Sequence, residues 1–237
     1  MINVAITGEN GFLGTHLRNY FLKKKLFNYI FLGRNFEDSI YNLKNGDILI
    51  HAASVHRNLN PEMVYDINMQ INKKLLNSLQ INNLSLNVVF ISSIQESLDN
   101  PYGRSKRDGK LLFKEYCKKN KCYFISHKLP NLFGPNAKPN YTSFIATFCY
   151  NLNNNISCVY NSKFVNLCYV NDAVKKIAEF TWDKIKFNTV KISVKNIYFL
   201  LKEFKRKDDN NEDFNSLSYF EKNLLKTYLS YKNYIII

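Results

Sequence analysis

The sequence predicts an α/β protein built on a doubly wound parallel sheet, and three observations carry that expectation. Short apolar runs alternate with helix-length amphipathic segments from Ile2 onward, the pattern of parallel strands joined by crossover helices. The first run, Ile2 to Thr7, stops at Gly8-Glu9-Asn10-Gly11-Phe12-Leu13-Gly14, which reads as strand, glycine turn and helix. Residues with chemistry to offer, Gly8, Arg34, Ala52, Ser93 and Asn131, all fall at the carboxyl ends of expected strands, where such sheets hold their ligands.

The glycine turn comes first. Its spacing is G-x-x-G-x-x-G, followed by Leu13, Leu17 and Phe21 on one helix face. Without a Cβ the turn can tighten and let backbone approach a pyrophosphate, while the helix start offers N–H groups and partial positive charge. Gly8, Asn10, Gly11, Phe12, Leu13 and Gly14 are therefore the expected cradle of a dinucleotide cofactor. A second strand, Tyr29 to Leu32, ends in Gly33-Arg34 with no acidic residue at the strand end itself. An acidic group there would accept from a ribose 2′-hydroxyl, whereas arginine pairs with a 2′-phosphate, so the reading leans to NADPH.

Asp47 to His51 is the third strand, running into Ala52-Ala53, small enough for a cofactor to pass close to the backbone. Asn60-Pro61 is expected to cap a helix reaching about Asn82, with Met63, Ile67, Ile71 and Leu75 as its apolar stripe. Met63 and Met69 read as core filler, and Asn68 as either polar surface or a buried network member. Strand four, Leu86 to Ser92, and strand five, Cys122 to Leu129, flank a helix beginning near Tyr102. Beyond them lie a turn-rich segment, Pro130 to Pro135, and a helix through Tyr150. A strand from Phe164 to Val170 and a helix from Asn171 to Trp182 follow, then helices over Val194 to Phe204 and Leu217 to Tyr228 about a polar linker, Lys207 to Asp213. The last residues, Tyr234 to Ile237, are apolar where termini are usually polar, suggesting truncation or docking.

The chemistry concentrates between Ser92 and Lys106. Pro101 at a helix start puts Tyr102 and Lys106 on one face, four residues apart. A phenol with a pKa of about 10 is a poor acid or base at neutral pH, but an adjacent ammonium favours the phenolate. Ser93, at a strand end, can hydrogen-bond the same substrate oxygen. Together they are the parts that protonate an alkoxide formed when hydride reaches a carbonyl. The Tyr-x-x-x-Lys spacing by itself equally describes a surface pair; its position behind a strand end makes the difference.

Bulk properties exclude several classes. The 237 residues are 46% hydrophobic and 15% aromatic, enough for one sizeable core with a small appendage. No apolar run approaches the length of a bilayer span and no signal peptide is seen, so a cytoplasmic protein without membrane contact is expected. Five cysteines and four histidines are scattered without ligand spacing, which indicates reduced thiols and no metal site. The net charge of +14 attracts phosphate, yet the lysines sit in separate clusters such as Lys23 to Lys25 and Lys205 to Lys207. They make a solvated surface and no nucleic-acid motif.

With these residues in view, the chain resembles an extended short-chain dehydrogenase/reductase, with a Rossmann-type sheet and a small C-terminal substrate-binding part. It is most similar to the N-terminal reductase domain of CapF-type capsular polysaccharide enzymes. The resemblance is carried by Ser92-Ser93-Ile94-Gln95, Asp99 to Gly103, Pro130-Asn131-Leu132-Phe133-Gly134, Lys138-Pro139-Asn140-Tyr141, Phe144 to Tyr150 and Thr227 to Tyr231. It implies a single domain, residues 1–130 mainly binding NADPH and residues 131–237 mainly substrate. The implied activity is reduction of the 4-keto group of a UDP-2-acetamido-2,6-dideoxy sugar, in the making of UDP-N-acetyl-L-fucosamine for capsule or O-antigen. By position, Tyr102 is the acid, Lys106 tunes it and holds the nicotinamide ribose, and Ser93 orients the carbonyl. Ala52, Ala53, Ser92 and Asn131 line the cofactor, while Asn131, Lys138, Asn140 and Tyr141 lie toward the UDP-sugar.

Two departures stand out. The family continues into a metal-binding cupin domain that epimerises C3, and this sequence contains no such domain, so the resemblance implies a separate cupin-type epimerase or a fragment. Lys128 stands where relatives often carry arginine, which keeps charge but not bidentate geometry. A sugar 4,6-dehydratase is disfavoured, because Ser93 is followed by Ile94-Gln95 where a carboxylate pair is needed. An NAD-dependent 4-epimerase uses the same tyrosine, and a non-catalytic dinucleotide-binding module is the reading from another class. A homodimer is expected by analogy.

Overall fold

The computed structural model describes residues 2–24 and 27–234, so the apolar Ile235 to Ile237 lies outside the described residues. Five strands, β1 (Asn3–Thr7), β2 (Asn28–Leu32), β3 (Ile48–His51), β4 (Asn87–Ser93) and β5 (Phe124–Leu129), form one parallel sheet in the order β2-β1-β3-β4-β5. The doubly wound sheet expected from the alternation is therefore present. Its order reverses between β1 and β3, and that switch point is where crossovers diverge and leave a crevice. Strands buried on both faces need continuous apolar runs, and Val4, Ala5, Ile6, Leu49, Ile50, Val88, Val89 and Phe90 are all buried.

The crossover elements are α1 (Phe12–Lys24), a short α2 (Glu37–Ile40), α3 (Met63–Ile81) and α4 (Pro101–Asn120). Phe21 of α1 stacks on Tyr29, ring centroids 4.9 Å apart. On the opposite sheet face Ala5, Leu49, Val88 and Phe90 share a core with Leu75, Leu79, Phe113 and Tyr116 of α3 and α4. Asn100 caps α4 by accepting from Gly103 N at 2.7 Å, with Pro101 in the first turn as expected.

Helix α3 differs from its expected form in two ways. Asn60-Pro61 builds a preceding turn, where Asn60 Oδ1 accepts from Glu62 N at 3.2 Å, and the helix starts at Met63. The buried stripe is Val64, Asn68, Asn72, Leu75 and Leu79, while Met63 is exposed. A stripe read from apolar residues alone passes over two asparagines that have partners inside.

The chain divides into two units: Met1–Leu129 with Val174–Lys186, and Pro130–Ala173 with Phe187–Ile237. The second contains β6 (Asn131–Phe133), β7 (Phe164–Tyr169) and β8 (Val190–Ser193), in that order, β7 parallel to β6 and antiparallel to β8. Strand β6 lies in the turn-rich segment, and β8, for which the sequence showed no separate run, abuts the start of a helix. Helices α5 (Phe144–Asn153), α7 (Val194–Asp209) and α8 (Tyr219–Leu229) bury Phe148, Leu201, Phe204 and Leu224. Helix α7 runs into the start of the expected linker, as far as Asp209, and α8 opens with a capping box of Ser218 and Glu221. Helix α6 (Val170–Ile177) stops short of Trp182, and Phe180 turns to φ 47°.

Candidate active site

Strand β1 ends at Thr7 and the chain turns at Gly8, with φ +73°. A Cβ on Gly8 would lie 2.8 Å from Ala53 Cα and N. The turn after β1 therefore rests directly on the backbone of Ala52-Ala53 after β3, at the switch point, which is why residue 8 is glycine. A Cβ on Gly14 would lie 1.9 Å from Gly8 O and 2.7 Å from Glu9 Cα, so α1 winds straight onto the turn. Gly11 N donates to Gly8 O at 2.9 Å. The first amides of α1, at Phe12 and Leu13, have no acceptor within the helix, as at any helix start. A turn this tight, with amides at its rim, fits a pyrophosphate.

Behind the turn runs a buried polar relay. Ala53 N donates to Thr7 Oγ1 at 3.2 Å, Thr7 Oγ1 meets His51 Nδ1 at 2.8 Å, and His51 Nε2 meets Asn72 Oδ1 at 2.8 Å. A carbonyl oxygen only accepts, so His51 carries its proton on Nε2 and takes the Thr7 proton at Nδ1. Burial pushes the His51 pKa down to about 3, against the smaller effect of the Asn72 bond. The ring is neutral, and the relay ties β1, β3 and α3 together beneath the cradle.

Tyr102 and Lys106 lie one turn apart on α4, and both are buried. Lys106 Nζ donates to Ile91 O at 2.9 Å and sits 5.5 Å from the Phe90 ring and 5.7 Å from the Tyr102 ring. Desolvation lowers its pKa to about 8. The Tyr102 ring stacks on His56, centroids 4.5 Å apart and 28° inclined. Ser93 Oγ accepts from Gln95 N at 3.2 Å and so caps a 3-10 turn, Ile94–Ser97, keeping its own proton to donate. That turn presses on α4: a Cβ on Gly103 would lie 2.2 Å from Gln95 O, which is why glycine follows the tyrosine.

Asn68 proves to be the buried network member. It accepts from Val55 N at 2.7 Å, donates to Val55 O at 2.9 Å, and donates to Ser105 Oγ at 3.0 Å. Ser105 in turn donates to Tyr102 O at 2.7 Å. One amide thus fixes both the loop carrying His56 and the turn carrying Tyr102.

Residues 36–180 match the family described as NAD dependent epimerase/dehydratase. The chain belongs to that family. A "UDP-2-acetamido-2,6-beta-L-arabino-hexul-4-ose reductase" of Pseudomonas aeruginosa is 30% identical over 203 residues, 83% of this chain and 54% of that protein. The chain thus spans about half the length of that relative. The crystal structure of capsular polysaccharide assembling protein CapF from Staphylococcus aureus is 29% identical with a TM-score of 0.81, covering 100% of this chain and 68% of that one. These likenesses bear out the expected resemblance to extended short-chain dehydrogenase/reductases of the CapF type. UDP-N-acetylglucosamine 4-epimerase from Bacillus cereus has a TM-score of 0.78 at 17% identity, covering 100% and 99%, a likeness of fold.

In this epimerase/dehydratase-family chain Ser92 and Lys128 have a further partner. Ser92 Oγ donates to Glu96 Oε2, and Glu96 Oε1 takes ion pairs from Lys110 at 2.9 Å and Lys128 at 3.0 Å. Burial raises the Glu96 pKa, but the bonds from Ser92, Lys110 and Lys128 outweigh it and hold the group below its usual range. The Ser92 proton is committed to Glu96, so toward a cofactor the hydroxyl can only accept. Glu96 is itself held by ions and is not poised as a dehydratase acid.

Arg34 is exposed beyond β2. Beside it lies a group that sequence reading missed: a Cβ on Gly33 would stand 3.7 Å from Glu9 Oε1. A carboxylate from the turn after β1 reaches the end of β2, and Asn10 Nδ2 donates to it at 2.9 Å. In the second unit Asn131 opens β6 and donates to Asn166 O at 3.4 Å. Asn140 takes φ 56° with its N–H on Thr147 Oγ1 at 2.9 Å, and Lys138 and Asn140 are exposed beside the half-buried Tyr141. Among the described residues no helix is long and apolar enough to cross a membrane.

Proposed function

We propose that this chain is an NADPH-dependent reductase of the 4-keto group of a UDP-2-acetamido-2,6-dideoxy-hexosulose, on the route to UDP-N-acetyl-L-fucosamine. The observation that carries the reading is the buried Tyr102–Lys106 pair on α4, packed behind the Ser93 strand end in the same unit as the glycine cradle. The Pseudomonas aeruginosa relative, named as a reductase of such a hexulose, supports the substrate class. When bound, a reduced nicotinamide supplies hydride to the ketone carbon. Tyr102 delivers a proton to the ketone oxygen, Lys106 stabilises the phenolate left behind, and Ser93 orients that oxygen by donating its hydrogen bond.

Residues 1–130 are the cofactor-binding part and residues 131–237 the sugar-binding part, with Asn131, Lys138, Asn140 and Tyr141 toward the UDP-sugar. Arg34 is the reason for favouring NADPH. A homodimer and a separate cupin-type epimerase complete the reading. The test is the loss of NADPH absorbance when the purified protein meets the 4-keto sugar nucleotide. Stoichiometric cofactor oxidation supports the reductase; interconversion of 4-hydroxy epimers without net oxidation would make the chain an epimerase, and binding without either a dinucleotide-binding module.

A further inference from the structure

We propose that Glu9 sets the cofactor preference of this chain by opposing Arg34, so that NADPH is bound no more than about tenfold more tightly than NADH. Glu9 acts in this way only if the site holds a dinucleotide, the reading proposed above. In doubly wound sheets the end of β2 faces the adenosine ribose, and a carboxylate there accepts from the 2′-hydroxyl of the unphosphorylated cofactor. No residue of β2 or its following turn supplies that carboxylate here; Gly33-Arg34-Asn35 stands in its place. Glu9 does so from the turn after the neighbouring strand, β1. Its Oε1 lies where a Cβ on Gly33 would touch it, at 3.7 Å, and the side chain is largely enclosed, with 9% of the residue exposed. The bond from Asn10 Nδ2 at 2.9 Å holds it there. Gly33 leaves the space between the carboxylate and the end of β2 open.

The consequence is electrostatic. A 2′-phosphate brought to this strand end gains from the exposed Arg34 guanidinium but meets the Glu9 carboxylate, and like charges in a partly enclosed site repel more than the same pair in water. A 2′-hydroxyl meets no repulsion and finds an acceptor. Arginine alone would select the phosphorylated cofactor; arginine with Glu9 cancels much of that selection.

The experiment is equilibrium titration of NADPH and of NADH into the purified full chain, followed by calorimetry, so that dissociation constants are read without turnover. The wild-type constants are expected to agree within about tenfold. Glu9→Gln, which keeps the side-chain shape, and Glu9→Ala should each tighten NADPH relative to NADH by about tenfold or more, while Arg34→Ala weakens NADPH and leaves NADH nearly unchanged. A wild-type preference for NADPH far beyond tenfold, or a ratio unmoved by both Glu9 variants, overturns the role of Glu9 and leaves the dinucleotide reading standing. Binding of neither cofactor to the wild type overturns both.

Discussion

Lys106 holds its ammonium among the Phe90 ring, the Tyr102 ring and the Ile91 carbonyl, and that burial brings its pKa to about 8. Below that pH the group is charged and can stabilise a Tyr102 phenolate; above it the charge is lost. The kcat/KM profile, which reports the free enzyme, is therefore expected to fall on its alkaline side near pH 8. A profile flat to pH 10 or so would remove Lys106 from the proposed role. Tyr102→Phe should lower turnover by about 10²- to 10⁴-fold, the range for a positioned general acid. NADPH affinity should be nearly unchanged, because the missing hydroxyl acts on substrate; calorimetry alongside steady-state rates checks both halves. The Tyr102–Lys106 spacing was readable because four residues along a helix is a local relation. The stacking of His56 on Tyr102 was not, since 46 positions separate the two rings in sequence.

At the scale of elements, α3 and α4 are registered against the sheet by amides. Asn72 takes the Nε2 proton of His51, and a Cβ on Gly109 would lie 2.3 Å from Asn72 Nδ2, so α4 closes over the same amide. Asn72→Ala leaves a buried donor without its acceptor and should destabilise the protein by about 1–3 kcal/mol, measured by urea unfolding. A change near zero would mean that water replaces the amide. Gly14→Ala asks α1 to move off the turn it is wound upon, and both stability and dinucleotide affinity are expected to drop, read by the same titrations. Local periodicity revealed these helices and strands within a few residues, yet it misplaced the buried stripe of α3. Asn68 and Asn72 occupy core positions only because partners arrive from β3, α4 and the loop after β3, and a lone α3 sequence contains none of them.

For the molecule as a whole, acid is the expected weakness of the unit that holds the five-stranded sheet. His51 and His127 are buried, and burial lowers their pKa values to about 3 and about 4 from 6.5. Between those values and 6.5 the unfolded chain binds protons that the folded chain refuses, so stability rises with pH through that window and is lost as pH falls below 6.5. Urea midpoints at successive pH values should decline from near neutrality downward, and His51→Gln should flatten part of the decline. What the sequence determined on its own was the succession of strands and helices, the glycine turn, and the one-turn spacing of Tyr102 and Lys106, because each is set by periodicity or by neighbours within a few residues. What the tertiary structure decided was the strand order with its switch point, the relay from Thr7 to His51 across 44 positions, the ion cluster on Glu96, and the arrival of Glu9 at the end of β2. Those contacts exist only once crossover helices have brought distant strand ends side by side, and no local pattern encodes which ends will meet.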